Sequence, residues 1–471
     1  MIKNREYTRL VYIQNMIKFK RTSTPYKGLA MNRQLRINAL ALVASIGGFL
    51  FGFDTAVISG AVIRLQETLL LSAAGLGFVV SSALIGCVLG SYLAGFSADH
   101  YGRKKTLQLS AFLFLSSAIG CYLVSDTVPL ILVRFIGGLG VGLAAMAAPL
   151  YIAEISPAAV RGRLVSLWQF SITIGILSAY LSNLGFADIA GKKMWQIMFG
   201  VEAIPAMLFL LLLLLVPESP RWLWQKNPEE ALKLMMNLLG AEEGREEISK
   251  IKPQKKGESL FSFGFPILCA VVLVLGSQFS GINAVIYYGP TIFKEAGLES
   301  GQWFTGTVIL GVINMLATIP AIFLVDKIGR KPLLLWGATG AFISLLGSSF
   351  CMNGWRPELL IVFIGVYLAC FAFSLGPISW VVISEIFPVT IRGKALSFST
   401  LILWIATAFI AQTFPMLNEG IGAANTFLFY AVCLLPVIGF IIWILPETKG
   451  KSVEDELTDR SKYQSYRPSS I

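Results

Sequence analysis

Long apolar runs, each close to the length of a bilayer crossing, alternate with short polar turns along almost the whole chain. They fall near 38–62, 75–97, 105–125, 128–152, 164–187, 196–216, 263–292, 303–325, 332–352, 358–384, 395–417 and 424–445. About 20 apolar residues cross the hydrocarbon core as a helix, so the pattern predicts twelve transmembrane helices. They divide six and six around a polar stretch at 217–262. Within that stretch Asn227-Pro228-Glu229-Glu230 opens a run that closes at Gly240. Asn at the cap, Pro at the first position and an acid three residues after the cap predict a helix start. Leu232, Leu234, Met235, Leu238 and Leu239 then give that helix one apolar face. The acidic stretch Glu242–Glu247 predicts a further turn or two, and 252–257 reads as a flexible connection. The predicted organisation is a basic segment 1–37, a six-helix bundle 38–216, a helical linker 217–262, a second bundle 263–445 and a polar, disordered tail 446–471.

Three short motifs occur twice. Asp99-His-Tyr-Gly-Arg-Lys104 recurs as Asp326-Lys-Ile-Gly-Arg-Lys331, and Glu154-Ile-Ser-Pro-Ala-Ala-Val-Arg-Gly162 as Glu385-Ile-Phe-Pro-Val-Thr-Ile-Arg-Gly393. Pro217-Glu218 recurs as Pro446-Glu447. Each pair is about 230 residues apart, the mark of a duplicated membrane half.

Composition agrees. Hydrophobic residues are 55% of the chain and charged residues 14%, against roughly 25% charged in a soluble domain. The net charge of +11 is not one basic patch of the kind that binds nucleic acid. Arg103, Lys104, Lys105, Arg161, Arg163, Arg330, Lys331, Arg392 and Lys394 sit in the even-numbered loops, and Lys18, Lys20, Arg21, Lys27, Arg33 and Arg36 precede the first run. The positive-inside rule then places both termini and the linker in the cytoplasm, with Lys192 and Lys193 as mild exceptions. Cys87, Cys121, Cys269, Cys351, Cys370 and Cys433 are scattered singly, with no Cys-x-x-Cys, and His100 is the lone histidine. Neither a disulfide framework, a metal site nor a cofactor is indicated. The first apolar run starts late and is long enough to span, which argues for a span over a cleaved signal. Met31 stands just before it, so translation is expected to start there, with 1–30 as an upstream extension or tail.

Several polar residues call for a chemical reason. The turn glycine in Asp99-x-x-Gly102-Arg103 lets the arginine face a carboxylate or the last carbonyls of a neighbouring helix. Glu154 and Arg161, with Glu385 and Arg392 as repeats, supply complementary charges at the same level. Ion pairs among these groups are expected to hold the two halves together on the cytoplasmic side as a gate; the alternative is that they only fix topology. Gln278 and Asn283 lie in the seventh run beside Gly276 and Gly281. On an unbroken helix they would point apart, whereas a break near Gly281 brings both to one cavity. An amide offers donors and an acceptor, which suits a ligand hydroxyl that is itself both. Tyr287 and Tyr288 follow as outer-gate candidates. Asp54, a lone carboxylate in the first run, must be paired or protonated, and Arg134 is its obvious partner. Gly86 with Gly90, and Gly138 with Gly142, have the spacing that lets helix backbones approach closely.

These motifs, with Arg134-x-x-x-Gly138-x-Gly140, Pro217-Glu-Ser-Pro-Arg221, Gln278-Phe-Ser-Gly-Ile-Asn283 and Pro446-Glu-Thr-Lys-Gly450, resemble the sugar-porter branch of the major facilitator superfamily across 38–450. The resemblance implies two six-helix bundles around a central sugar site that opens alternately to each side. It places sugar contacts at Gln169, Gln278, Asn283, Asn314, Trp380 and Trp404, and a cytoplasmic charge gate at Asp99, Arg103, Glu154, Arg161, Glu218, Arg221, Asp326, Arg330, Glu385 and Arg392. It departs from the family at Ser277, where many relatives carry a glutamine, at Ile176, where bacterial xylose–proton symporters carry one, and at Thr407, an asparagine in animal facilitators. Bacterial proton-coupled members carry an aspartate in the context of Asp54; animal facilitators carry a neutral residue there.

The expectation is therefore a proton-coupled monosaccharide importer in the cell membrane, working as a monomer, with a proton as co-substrate and the bilayer as solvent. An uncoupled facilitator and a non-transporting sugar sensor are the alternatives. No nucleotide loop, metal cluster or nucleophile–base pair points to an enzyme.

Overall fold

The structure, a computed structural model, describes residues 33–187, 193–249, 259–388 and 391–449. The basic segment before Arg33 with Met31, Lys192, the connection at 252–257 and the tail beyond Lys449 lie outside these, as does the side chain of Asp326. All regular structure among the described residues is helical. Twelve helices there are long and apolar enough to cross a membrane.

The first half holds α1 (Arg33–Thr68), α2 (Ala73–His100), α3 (Arg103–Leu123), α4 (Thr127–Ile155) and α5 (Ala158–Phe186), then a sixth span split into α6 (Met194–Gly200) and α7 (Ala203–Leu215). The linker contributes α8 (Pro220–Lys226), α9 (Pro228–Leu239) and α10 (Ala241–Ser249). The second half begins with a seventh span made of α11 (Gly264–Phe279) and α12 (Ile282–Glu295), followed by α13 (Ser300–Ile328) and α14 (Arg330–Met352). Its tenth span is α15 (Leu360–Cys370), a π-helical turn at Phe371–Leu375 and α16 (Gly376–Ile386). The bundle closes with α17 (Arg392–Ile421) and α18 (Ala423–Trp443).

In α9 the Asn227 side chain accepts from the Glu230 backbone N–H at 3.4 Å and donates to the Glu230 carboxylate at 3.2 Å, as the cap motif predicts. Its buried face is Ala231, Met235, Leu238 and Leu239, with Leu232 and Leu234 at the margin. The short helix α8 was not expected; Ser219 caps it by accepting from Trp222 N–H.

The first half packs backbone on backbone. A Cβ added at Gly86 would run into the Phe135 carbonyl, and one at Gly138 into that of Ala83. Gly90 and Gly142 repeat the arrangement one turn on, so the two small-residue pairs form one seam between α2 and α4. A second seam joins α1 to α5, where Gly52 faces the Ile172 carbonyl and Gly175 that of Phe49. In the second half the glycines face side chains instead: Gly337 meets Ser374, Gly340 the Cys370 thiol and Gly276 Val437.

The halves meet through α2 with α17, α5 with α13 and α1 with α12. Among the described residues, their hydrogen bonds and ion pairs all lie in the part of the molecule away from the basic loops. Gln412 accepts from the Ser81 hydroxyl at 2.9 Å and donates to the Ala74 carbonyl at 3.0 Å. The Tyr180 hydroxyl donates to the Ile286 carbonyl at 3.0 Å, and Lys294 stands 3.8 Å from Glu67.

Candidate functional site

The seventh span breaks where expected. Gly281 takes a left-handed conformation (φ 84°), open to glycine without strain, and ends α11 before α12 begins. A second departure from helical geometry follows at Tyr288. Across the first break Asn283 donates its Nδ2–H to Gln278 Oε1 at 2.6 Å. The Thr407 hydroxyl, reaching in from α17, lies 2.9 Å from the same oxygen and 2.7 Å from the Leu403 carbonyl, with one proton to share between them, and Gln278 Nε2 donates to Ser277 Oγ at 3.0 Å. Two residues that point apart on one straight helix are thereby joined in one polar cluster.

The other residues with implied sugar contacts lie on other spans. Asn314 is buried on α13, Trp380 half-buried on α16, and Gln169 exposed on α5. No described hydrogen bond links these three side chains to the cluster. Trp404 is buried on α17; its ring lies 5.4 Å from that of Phe51 in α1, and its indole N–H has no partner among the described residues. Trp168 packs on Phe51 from the other side at 6.2 Å, with its own indole N–H also unpartnered. Indole faces, unspent polar groups and paired amides are the side-chain types that suit a ring with both apolar and hydroxyl edges.

The two tyrosines diverge. Tyr288 turns into its own half, donating to the Ala411 carbonyl at 2.8 Å and stacking on Phe414. Tyr287 is buried against the first half, where it lines a small cavity with Asp54 and Arg134.

Asp54 and Arg134 are paired as expected, Oδ1 to Nη1 at 2.5 Å, with 4% and 2% exposure. The guanidinium also lies over the Phe199 ring, 5.0 Å from its centroid. Beside the pair stands Glu202, 2% exposed, within electrostatic reach of both partners. It occupies the break between α6 and α7, and one of its carboxylate oxygens has no hydrogen-bond partner. A second buried carboxyl thus stands beside the Asp54–Arg134 pair.

At the basic end the repeated motifs build the same clamp twice. Arg103 pairs with Glu154, Nη2 to Oε1 at 3.1 Å, and donates to the Ala98 carbonyl; Arg330 pairs bidentately with Glu385 at 2.7 and 3.0 Å and donates to that of Val325. Asp99 adds a contact to Arg103 at 3.2 Å. Glu218 accepts from the Lys104 backbone N–H, and Glu447 from those of Arg330 and Lys331. The Ser219 hydroxyl bonds Glu154, and that of Thr448 bonds Glu385. Burial opposes ionisation of Glu447, yet the backbone donors of Arg330, Lys449 and Lys331 outweigh it and hold the carboxyl below its ordinary range.

This geometry corrects the expected ties between halves. Each described clamp closes inside its own half, because the carboxylate at the end of one span lies against the turn that starts another span of that half. Arg161 bonds the Ala153 and Ser156 carbonyls and stands 3.7 Å from Glu247 of the linker. Its repeat Arg392 is half-buried with Nε unpartnered, and Arg221 is exposed.

Residues 40–457 match the family described as "Sugar (and other) transporter". The chain belongs to this family. It is 39% identical to the D-xylose-proton symporter of Escherichia coli (strain K12), over 89% of this chain and 94% of that one. It is also 39% identical to the arabinose-proton symporter of Bacillus subtilis (strain 168), covering 88% and 93%. Among solved structures, the inward open conformation of the xylose transporter XylE from E. coli superposes with a TM-score of 0.81 at 37% identity, covering 90% and 99%. The major facilitator fold expected from the motifs is the fold of this sugar porter, and the family is one of transporters, not enzymes.

Sequence reasoning missed Glu202 and Trp168 in this sugar porter. Glu202 carries the signal that singled out Asp54, a lone carboxylate inside an apolar run, here the run at 196–216.

Proposed function

We propose that the protein is a proton-coupled monosaccharide importer that works by alternating access, with its basic end and both termini in the cytoplasm. The observation that carries this reading is the buried Asp54–Arg134 pair with Glu202 beside it. A proton on Asp54 removes its charge and loosens its hold on the guanidinium, and Glu202 beside it is a second carboxyl with which that proton can be exchanged. Breaking a buried ion pair while both partners stay charged costs about 3–5 kcal/mol. Neutralising one partner by a proton gives the pair a route to separate within a transport cycle. The D-xylose- and arabinose-proton symporters among the relatives support coupling.

Asp54 and Arg134 are the proton-coupling pair. The sugar binds among Gln169, Gln278, Asn283, Asn314, Trp380 and Trp404, with Tyr287 and Tyr288 closing the outer side. Contacts between halves away from the basic loops support an inward-facing conformation. The clamps keep each half's cytoplasmic end in shape while the halves rock, and the bundles 38–216 and 263–445 are the moving bodies.

Uptake of labelled D-xylose, L-arabinose and D-glucose into proteoliposomes, with and without an inward proton gradient, tests this. Wild type accumulates one sugar only with the gradient; Asp54→Asn equilibrates that sugar without accumulating it. Accumulation by Asp54→Asn equal to wild type would overturn the role of the aspartate. Equilibration by wild type without accumulation would make the protein a facilitator with a permanent structural pair.

A further inference from the structure

The helices α12 and α17 each carry a proline in their interior, Pro290 and Pro415. Proline has no backbone N–H, so the carbonyl four residues earlier loses its regular helical donor. Those carbonyls belong to Ile286 and Ala411. Each receives a tyrosine hydroxyl instead. Tyr288 of α12 donates to the Ala411 carbonyl at 2.8 Å, and Tyr180 of α5 donates to the Ile286 carbonyl at 3.0 Å. A carbonyl has no proton to give, and neither hydroxyl has a second partner among the described residues, so the direction of both bonds is fixed.

The two caps differ in what they join. Tyr288 and Ala411 lie in the same half, whereas Tyr180 reaches from the first half into the second. Its ring is 3% exposed and lies against Gly311 of α13, where an added Cβ would stand 2.9 Å from Tyr180 Cδ2. The tyrosine therefore touches α12 and α13 of the opposite half at once. Near its acceptor α12 already leaves helical geometry, at Tyr288 (φ −117°, ψ 17°). A helix short of one bond bends there more easily than elsewhere.

We propose that Tyr180 is a positioning residue of the outer opening: its hydroxyl stands in for the N–H that Pro290 lacks, and does so only while the two halves are closed on that side. With the halves apart, the Ile286 carbonyl takes water from the passage. The bend at Pro290 is thus held by the opposite half when the side is closed and released when it opens. One event both separates the halves and frees the outer part of α12. Tyr180 acts in this through the α12 backbone and not through the sugar.

The inference rests on the alternating-access reading, and its test uses no sugar, so the two fail separately. A Thr55→Cys reporter, in a background without other cysteines, is labelled with an impermeant maleimide from the side opposite the basic loops. Tyr180→Phe removes only the hydroxyl, and Pro290→Ala returns an N–H to the Ile286 carbonyl from within α12. Tyr180→Phe should label several-fold to about tenfold faster than its parent, because the carbonyl then lacks its partner in the closed state alone. In the Pro290→Ala background the same substitution should change labelling by less than about twofold, since the helix supplies the partner in every state. Pro290→Ser takes the place of Pro290→Ala if the alanine protein does not assemble. Labelling of Tyr180→Phe at the parent rate would overturn the proposal. An equal acceleration with and without Pro290 would overturn it too, since loosened packing gives that result. If the labelling pattern holds while wild type takes up none of D-xylose, L-arabinose and D-glucose, the sugar-transport reading falls and the place of Tyr180 at the opening stands.

Discussion

Three backbone N–H groups converge on Glu447: those of Arg330, Lys331 and Lys449. Its carboxyl is held below the ordinary 4.5, so folding favours the ionised form. The stabilisation is fully present above the ordinary carboxylate range and is lost as pH falls through the lower folded value. Melting of detergent-solubilised wild type and Glu447→Gln should therefore differ by a constant interval at neutral pH, and the interval should narrow only in acid. An interval that widens on acidification would reverse the sign and sink the assignment. Asp54 with Arg134 and Gln278 with Asn283 were legible because a charge or amide in an apolar run demands a partner, and the chain offers few. Which carboxylate each clamp arginine chooses was not legible. Arg103 has Asp99 four residues away and Glu154 fifty-one away, and it holds both.

Elements differ in how they touch. The α2–α4 and α1–α5 seams leave no room for a methyl group, whereas Gly95, exposed on α2, has nothing within 4 Å of an added Cβ. Gly138→Ala is expected to destabilise by about 1–3 kcal/mol through overpacking. Gly95→Ala should leave stability unchanged or slightly raised, through the better helix propensity of Ala. Thermal unfolding of both variants in detergent checks this; equal melting temperatures would mean the seam yields. Hydropathy located every span, since a bilayer imposes length and apolarity. It was silent on the break in span six, because the Val201–Glu202 turn lies inside an otherwise uninterrupted run. The Gly281 break was visible only because two amides needed to meet.

At the scale of the whole molecule, the described polar links between halves are few and lie at one side. Gln412 supplies two of them, to Ser81 and Ala74. Each is worth about 0.5–1.5 kcal/mol, so losing both in Gln412→Ala should shift the population toward opening there by about fivefold to about a hundredfold. The measurement is impermeant-maleimide labelling of a Thr55→Cys reporter, in a background without other cysteines, from the side opposite the basic loops. Unchanged labelling would show that packing of α2 on α17 sets the equilibrium without the amide. The duplicated architecture was readable from the motif repeat; the set of contacts between halves was not, because it belongs to a conformation rather than to a pattern.

The clamps have one more consequence, and it concerns the order in which the chain is made. Every described partner of the first clamp, from Asp99 to Ser219, lies ahead of the second half in the sequence. The first six spans can therefore tie off their turns as soon as residue 219 is synthesised, while the seventh span is still to come. Domains made first fold first, and a half that finishes itself offers the emerging half a completed surface instead of loose charges.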